Sequence, residues 1–65
     1  MILILGAGES GIGAALLAKK YSISAFVSDC NAIRPSFINE LIENEIDFEE
    51  GSHDLAFEIS PDYFL

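Results

Sequence analysis

Residues 2–13, Ile-Leu-Ile-Leu-Gly-Ala-Gly-Glu-Ser-Gly-Ile-Gly, decide the fold that this sequence predicts. The four apolar residues at the start are typical of a strand buried on both faces, as in the centre of a parallel sheet. Gly6, Gly8 and Gly11 then have the spacing of a phosphate-binding strand–turn–helix. In that motif the first glycine allows a tight turn, the second lets the backbone approach a diphosphate, and the third lets the helix pack closely on the strand.

The glycine turn predicts an anion or nucleotide site, with a purely structural strand–helix turn as the alternative. The free N–H groups and the positive dipole end of the following helix would face the anion. Two other glycine motifs are excluded. A P-loop needs Lys and then Ser or Thr after the second glycine, which neither G-x-x-x-x-G run has, and Ser10 lacks the glycine that completes G-x-S-x-G. Ser10 is therefore a candidate ligand and not a nucleophile.

The rest of the chain continues as alternating strands and helices. Strands are expected over residues 1–5, 23–28 and 46–49 and from about residue 62; helices over about 10–20 and from Pro35 to about Asn44, with a short helix over 53–58 capped by Ser52. The alternation in residues 46–49 predicts a half-exposed strand toward an edge. Together these elements predict an α/β fold: a Rossmann-like parallel sheet of about four strands with flanking helices.

Asp29 and Cys30 directly follow the second predicted strand. Dinucleotide-binding folds place an acid near this position to bind a ribose, and the Asp29 carboxylate could accept hydrogen bonds from ribose hydroxyls or from a base N–H. The alternative for Asp29 is a turn or capping residue. Cys30 could line the same pocket or be a small, partly buried residue. His53 is expected at the surface, because no other ligand stands at metal-binding spacing from it.

Charge and cysteine content limit the possible partners. The net charge is −8, and nine of the eleven acids lie between Glu40 and Asp62, a span without Lys or Arg. This excludes nucleic acid, whose phosphates require a basic surface. One cysteine cannot form an internal disulfide, which indicates a reducing compartment. An apolar run of four residues directly after Met1 is too short for a signal peptide or a membrane span, so we expect a cytoplasmic protein without a membrane partner.

The size of the chain points to a larger protein. A chain of 65 residues is marginally stable alone, yet 51% of these residues are hydrophobic, as if further protein covered them. We therefore expect the N-terminal piece of a longer chain, with a complete miniature domain as the alternative.

Three segments closely resemble the N-terminal domain of the Mur ligases. They are residues 4–20, which contain the glycine turn, residues 26–29 (Phe-Val-Ser-Asp), and residues 46–53 (Ile-Asp-Phe-Glu-Glu-Gly-Ser-His). The resemblance covers essentially all 65 residues and is nearest to the ligases that add D-glutamate in peptidoglycan synthesis. The glycine turn alone would not distinguish this family from nicotinamide or flavin enzymes, whereas the other two segments make the resemblance fairly specific.

The resemblance implies that residues 1–65 are part of a domain that binds the UDP moiety of UDP-N-acetylmuramoyl-L-alanine. By position, Glu9 and Ser10 match turn residues whose backbone faces the diphosphate, and the Ser10 hydroxyl does so too. Asp29 and Cys30 match the pair that recognises the uracil end, although the family usually has a small hydroxyl residue where Cys30 stands. The family's Ser-Pro-Gly segment would fall just after Leu65.

The resemblance also implies where the chemistry lies. The family uses ATP and Mg²⁺ to form an acyl-phosphate, and the residues for this step belong to the remaining ligase domains. We therefore expect no catalytic residue, metal ligand or cofactor site within these 65 residues, and no ligase activity from them alone. The alternative is the first half of an NAD(P)- or FAD-binding Rossmann domain of an oxidoreductase, in which Asp29 would contact ribose and not the pyrimidine.

Overall fold

The apolar run after Met1 forms the first strand of a sheet in the computed structural model, which describes residues 1–65. The four strands are β1 (Ile2–Leu5), β2 (Ala25–Asp29), β3 (Asp47–Glu50) and β4 (Tyr63–Phe64). The α-helices are α1 (Glu9–Lys20) and α2 (Pro35–Glu43), and a 3₁₀ helix spans Ala56–Glu58. Neither α-helix has the length and apolar character that crossing a membrane requires. The predicted α/β, Rossmann-like arrangement is confirmed.

All strand pairs are parallel, and the strand order is β3-β2-β1-β4. Ile2 of β1 pairs with Ala25 on one side and with Tyr63 on the other. β1 is therefore inside the sheet, as its apolar sequence predicts, and β3 lies at an edge, as its alternating sequence predicts. Because the strands are parallel, the glycine turn after β1, Asp29 and the end of β3 all lie along one edge of the sheet.

The two faces of the sheet are covered differently. Ile4 and Val27 point to the face that α1 and α2 cover, and both are buried. The main core lies on this face and consists of the buried residues Ile4, Ala7, Ile12, Ala15, Val27, Ile33, Leu41 and Ile46. Leu3 and Phe26 point to the opposite face and pack with Ala56 of the 3₁₀ helix. The larger core thus lies between the sheet and the helices whose N-termini reach the carboxyl edge.

Both α-helices end in the same backbone motif, which shifts the following strands from their predicted starts. After α1, Ser22 has a φ of 58°, and the N–H of Ile23 donates to the carbonyl of Ala18 at 2.8 Å. After α2, Glu45 has a φ of 55°, and the N–H of Ile46 donates to the carbonyl of Leu41 at 2.9 Å. In both cases the residue predicted to begin the strand still belongs to the end of the helix, because its N–H is bonded to a helix carbonyl. β2 therefore begins at Ala25 and not at residue 23, and β3 begins one residue later than predicted.

The short helix predicted over residues 53–58 is smaller and is capped by a different residue. Only Ala56–Glu58 are helical, and the Ser52 hydroxyl accepts just one long hydrogen bond, from the Asp54 N–H at 3.4 Å. The Glu49 carboxylate accepts from the N–H groups of Leu55 and Ala56 at 3.0 and 2.7 Å. Glu49 of β3 is therefore the capping residue, because its two carboxylate oxygens accept from two amides at once, whereas a serine has a single oxygen.

Candidate functional site

The turn after β1 uses its first and third glycines for structural reasons. Gly6 has a φ of 105°, in the left-handed region that glycine favours, and its N–H donates to the carbonyl of Ser28 at 2.7 Å. A Cβ at Gly11 would lie 1.9 Å from the carbonyl oxygen of Gly6. The turn therefore holds the start of α1 against the end of β1, as the motif predicts.

The second glycine of the motif faces open space. A Cβ added at Gly8 would meet no atom within 4 Å, so packing within the chain does not require glycine there. The first hydrogen bond of α1 runs from the Ile12 N–H to the Gly8 carbonyl at 3.0 Å. The N–H groups of Glu9, Ser10 and Gly11 precede it and have no acceptor within the chain. These donors, together with the positive end of the helix dipole, can bind an anion.

The first two side chains of α1 are polar and have no polar partner within the chain. Glu9 and Ser10 are exposed, and neither side chain forms a hydrogen bond within the chain. The Ser10 hydroxyl is thus available as a further donor beside the backbone amides. The Glu9 carboxylate is free to turn toward solvent, away from a bound anion.

Asp29 joins the glycine turn to the end of β2. Its two carboxylate oxygens accept hydrogen bonds from the N–H of Ala7 at 2.8 Å and from the N–H of Asn31 at 2.9 Å. The bond from Ala7, followed by the bond from Asn31, lowers the pKa of the Asp29 carboxyl below its ordinary value. Each oxygen keeps a lone pair, so a structural role in the turn does not prevent contact with a ligand.

A cavity of about 410 Å³ opens between the glycine turn and the start of α2. Its lining includes two of the predicted site residues, Gly8 and Asp29. Glu9, Ser10 and Cys30 do not line it; the first two lie at the start of α1, and Cys30 is exposed. A cavity of about 340 Å³ at the opposite edge, beside the C-terminal ends of the helices, contains none of the predicted site residues.

The loop between β2 and α2 contributes cavity residues that the sequence analysis missed. Arg34 and Phe37 line the cavity, and the Arg34 guanidinium lies 5.0 Å from the centroid of the Phe37 ring. The loop is held in place by β3, since Glu50 accepts from the N–H of Ile33 at 2.8 Å. Arg34 is the only Lys or Arg outside α1, and this was the signal in the sequence that could have identified it.

Ser28 of β2 forms a partly buried polar network with Glu49 and His53. Ser28 is fully buried, and its hydroxyl donates to Glu49 at 2.9 Å while hydrogen-bonding Nδ1 of His53. Because the single hydroxyl proton goes to Glu49, this arrangement requires the imidazole Nδ1 to be the donor to Ser28. His53, which was expected at the surface, is partly exposed, and its ring is also bonded to Ser28 of β2.

The Glu49 carboxylate in this network has a shifted acidity. Its partial burial acts to raise the pKa, but three hydrogen bonds, from the Leu55 amide, the Ser28 hydroxyl and the Ala56 amide, together outweigh burial and lower the pKa below its ordinary value. The carboxylate therefore stays ionised at neutral pH. No group of three or more His, Cys, Asp or Glu side chains in the chain is placed to hold a metal ion.

Comparison with curated proteins gives a consistent set of relatives. Proteins from Porphyromonas gingivalis, Cytophaga hutchinsonii and Bacteroides thetaiotaomicron are 52%, 54% and 52% identical to this chain over 52 residues, which is 80% of the chain and 12% of each relative. Each is named UDP-N-acetylmuramoylalanine–D-glutamate ligase, and the match lies in its N-terminal part. No family model and no solved structure matches the chain. The resemblance predicted from the sequence is thus confirmed, although the chain spans only a small share of these relatives.

Proposed function

We propose, from the premise that this chain is homologous to the N-terminal part of UDP-N-acetylmuramoylalanine–D-glutamate ligases, that it binds the UDP moiety of that ligase's substrate in peptidoglycan synthesis. The observation that carries the proposal is the grouping of free backbone donors and one carboxylate at a single edge. The N–H groups of residues 9–11 lack acceptors, and Asp29 lines the adjacent cavity.

In this proposal the diphosphate lies over the N-terminus of α1. The N–H groups of Glu9, Ser10 and Gly11 donate to its oxygens, and the Ser10 hydroxyl adds a fourth donor. Gly8 lets the diphosphate approach the backbone, because no side chain fills the open space in front of it. Glu9 contributes only its backbone, since its exposed carboxylate would otherwise repel the phosphates.

The uracil end of the ligand lies at Asp29, and the diphosphate lies at the Gly8 side of the same cavity. An ionised carboxylate accepts a hydrogen bond from the N–H of a pyrimidine, and the lowered pKa of Asp29 keeps this acceptor charged at neutral pH. Cys30, exposed at the neighbouring position, contacts the same end of the ligand.

The work of this part of the ligase is positional. Contacts to the remote UDP moiety hold the muramoyl-alanine carboxylate in place for a reaction carried out elsewhere. The residues present do not fit ATP or Mg²⁺, because the chain has no P-loop and no cluster of metal ligands. We therefore assign the ATP-dependent step to the remaining ligase domains and expect these 65 residues alone to be inactive. A cytoplasmic location stays a prediction.

A ligand titration followed by ¹⁵N amide shifts tests the proposed function. With UDP-N-acetylmuramoyl-L-alanine, we expect shifts at residues 8–11 and at Asp29; with NAD⁺ we expect none. A Gly8→Ala variant should keep its fold and bind the UDP ligand about tenfold more weakly, because a methyl group then occupies the space of the diphosphate.

Gly13→Ala is the matched control for this experiment. The same methyl group within α1 also meets no atom within 4 Å, but it does not lie in the glycine turn. Binding by this variant should equal that of the wild type. Shifts with NAD⁺ alone would favour the oxidoreductase alternative, and Gly8→Ala binding as tightly as Gly13→Ala would contradict the placement of the diphosphate.

A further inference from the structure

Arg34 is the only Lys or Arg side chain at the carboxyl edge of the sheet. The chain has three Lys and Arg residues in all, and the other two, Lys19 and Lys20, lie in the last turn of α1 at the opposite edge. The net charge of the chain is −8. A ligand that carries a diphosphate therefore approaches a strongly negative molecule, in which Arg34 supplies the one positive side chain near the candidate site.

The charge of Arg34 is available to a ligand. The only ion pair in the chain joins the N-terminal amine to Asp62, so no carboxylate lies within 4.0 Å of the guanidinium. The guanidinium lies over the ring of Phe37, and both residues line the cavity that also contains Gly8 and Asp29. Contact with an aromatic face orients the planar group and leaves its N–H edges free to donate.

The backbone that carries Arg34 is held by β3. Glu50 accepts from the N–H of Ile33 at 2.8 Å, and the N–H of Gly51 donates to the carbonyl of Asn31 at 3.2 Å. Ile33 is itself part of the main core. The backbone of Arg34 is therefore fixed beside the cavity, so that only its side chain has to be ordered when a ligand binds.

We propose that Arg34 is a specificity-determining residue of this site, whose guanidinium binds the phosphate groups of the nucleotide. The proposal rests on the proposed function and adds a side chain to the backbone donors described above. Two parallel N–H groups of a guanidinium match two phosphate oxygens, and this charge-assisted contact distinguishes a nucleoside diphosphate from the nucleoside without phosphates.

The test measures the affinity of the protein for UDP and for uridine by calorimetry. Arg34→Gln should weaken UDP binding at least about tenfold, because it removes the charge-assisted contact of the guanidinium with the phosphates, and should leave uridine binding unchanged. Arg34→Lys, which keeps the charge but not the planar fork, should lose less than Arg34→Gln. The fall in UDP affinity with added salt should be shallower for Arg34→Gln than for the wild type.

Lys20→Gln is the matched control, because it makes the same change in net charge at the other end of α1. It should leave both affinities as in the wild type. Equal losses in Lys20→Gln and Arg34→Gln would overturn the proposal in favour of a general charge effect, and an equal loss for uridine and UDP would overturn it in favour of a contact with the nucleoside. Normal UDP binding by Arg34→Gln would overturn the role of Arg34 and leave the proposed function in place. A wild-type protein that does not bind UDP would overturn both.

Discussion

A Gly11→Ala variant is expected to lose about 3 kcal/mol of unfolding free energy, a large part of the stability of so small a chain. The added Cβ would lie 1.9 Å from the carbonyl oxygen of Gly6 and 3.0 Å from its carbonyl carbon. Both atoms belong to the backbone, so no side-chain rotation relieves the overlap. The start of α1 must instead move away from β1, which opens the contact between helix and sheet. Urea unfolding followed by circular dichroism measures the loss.

Gly13→Ala provides the comparison for this prediction. A Cβ at Gly13 meets no atom within 4 Å, and the residue lies inside α1. The substitution should therefore stabilise the protein by about 0.5–1 kcal/mol, because alanine loses less backbone entropy than glycine in a helix. If Gly11→Ala and Gly13→Ala had the same stability, the close approach of α1 to the turn would not be a requirement of the fold.

An Asp29→Ala variant is expected to lose both stability and nucleotide affinity. The carboxylate satisfies the N–H of Ala7, a residue in the main core, and leaving that buried donor without an acceptor costs about 1–3 kcal/mol. Asp29→Asn should lose less, since its amide oxygen can still accept from one of the two N–H groups while its NH₂ faces the other. UDP binding should weaken in both variants, because each removes the charged acceptor at the cavity. Thermal unfolding and calorimetry measure the two effects.

The pH dependence of stability distinguishes the contribution of the Asp29 charge from that of its hydrogen-bonding geometry, which Asp29→Asn partly keeps. Its pKa is lowered in the folded state, so its contribution to stability is fully present above the ordinary value of 3.8 and is lost as the pH falls through the lower, folded value. Below about pH 4 the unfolding free energy of the wild type should therefore fall more steeply than that of Asp29→Asn. The variant keeps some slope, because the pKa of Glu49 is lowered too. Parallel curves for the two proteins would contradict this role of the carboxylate.

The parts of the structure that the sequence predicts are those with a local cause. The apolar run of β1, the glycine spacing and the proline at the start of α2 each act on neighbouring residues, and all three elements lie where expected. Asp29 could be placed beside the turn because parallel strands end at a common edge. Its bond to Ala7 could not be predicted, since it depends on the distance between two loops that are far apart in the chain.

Three side-chain contacts that the sequence does not predict join separate elements of the fold. Glu50 holds the loop before α2, Glu49 caps the 3₁₀ helix, and His53 bonds to the buried Ser28. A carboxylate in an alternating edge strand is typical of a solvent-facing side chain, and nothing in its neighbours indicates otherwise. Arg34 was missed for another reason: its role depends on the cavity that the fold creates around it, and no motif marks that position.

The position of β4 has a consequence for local opening of the sheet. Ile2 pairs with both Ala25 and Tyr63, and closing the longer chain segment to Tyr63 costs about 0.9 kcal/mol more in entropy. β4 has only two residues, and both side chains are largely exposed, so little burial offsets this cost. β4 should therefore detach from β1 more readily than β2 does.

Two adjacent amides report this difference within one molecule. The N–H of Leu5 donates to the carbonyl of Leu65 at 2.9 Å, whereas the N–H of Gly6 donates to the carbonyl of Ser28 at 2.7 Å. In hydrogen exchange, the Leu5 amide should lose its protection earlier than the Gly6 amide, and equal protection would show that the two sides of β1 open together. If the Leu5 amide does exchange first, the glycine turn stays attached to β2, and the candidate site keeps its geometry, while the other side of β1 exchanges its hydrogens with solvent.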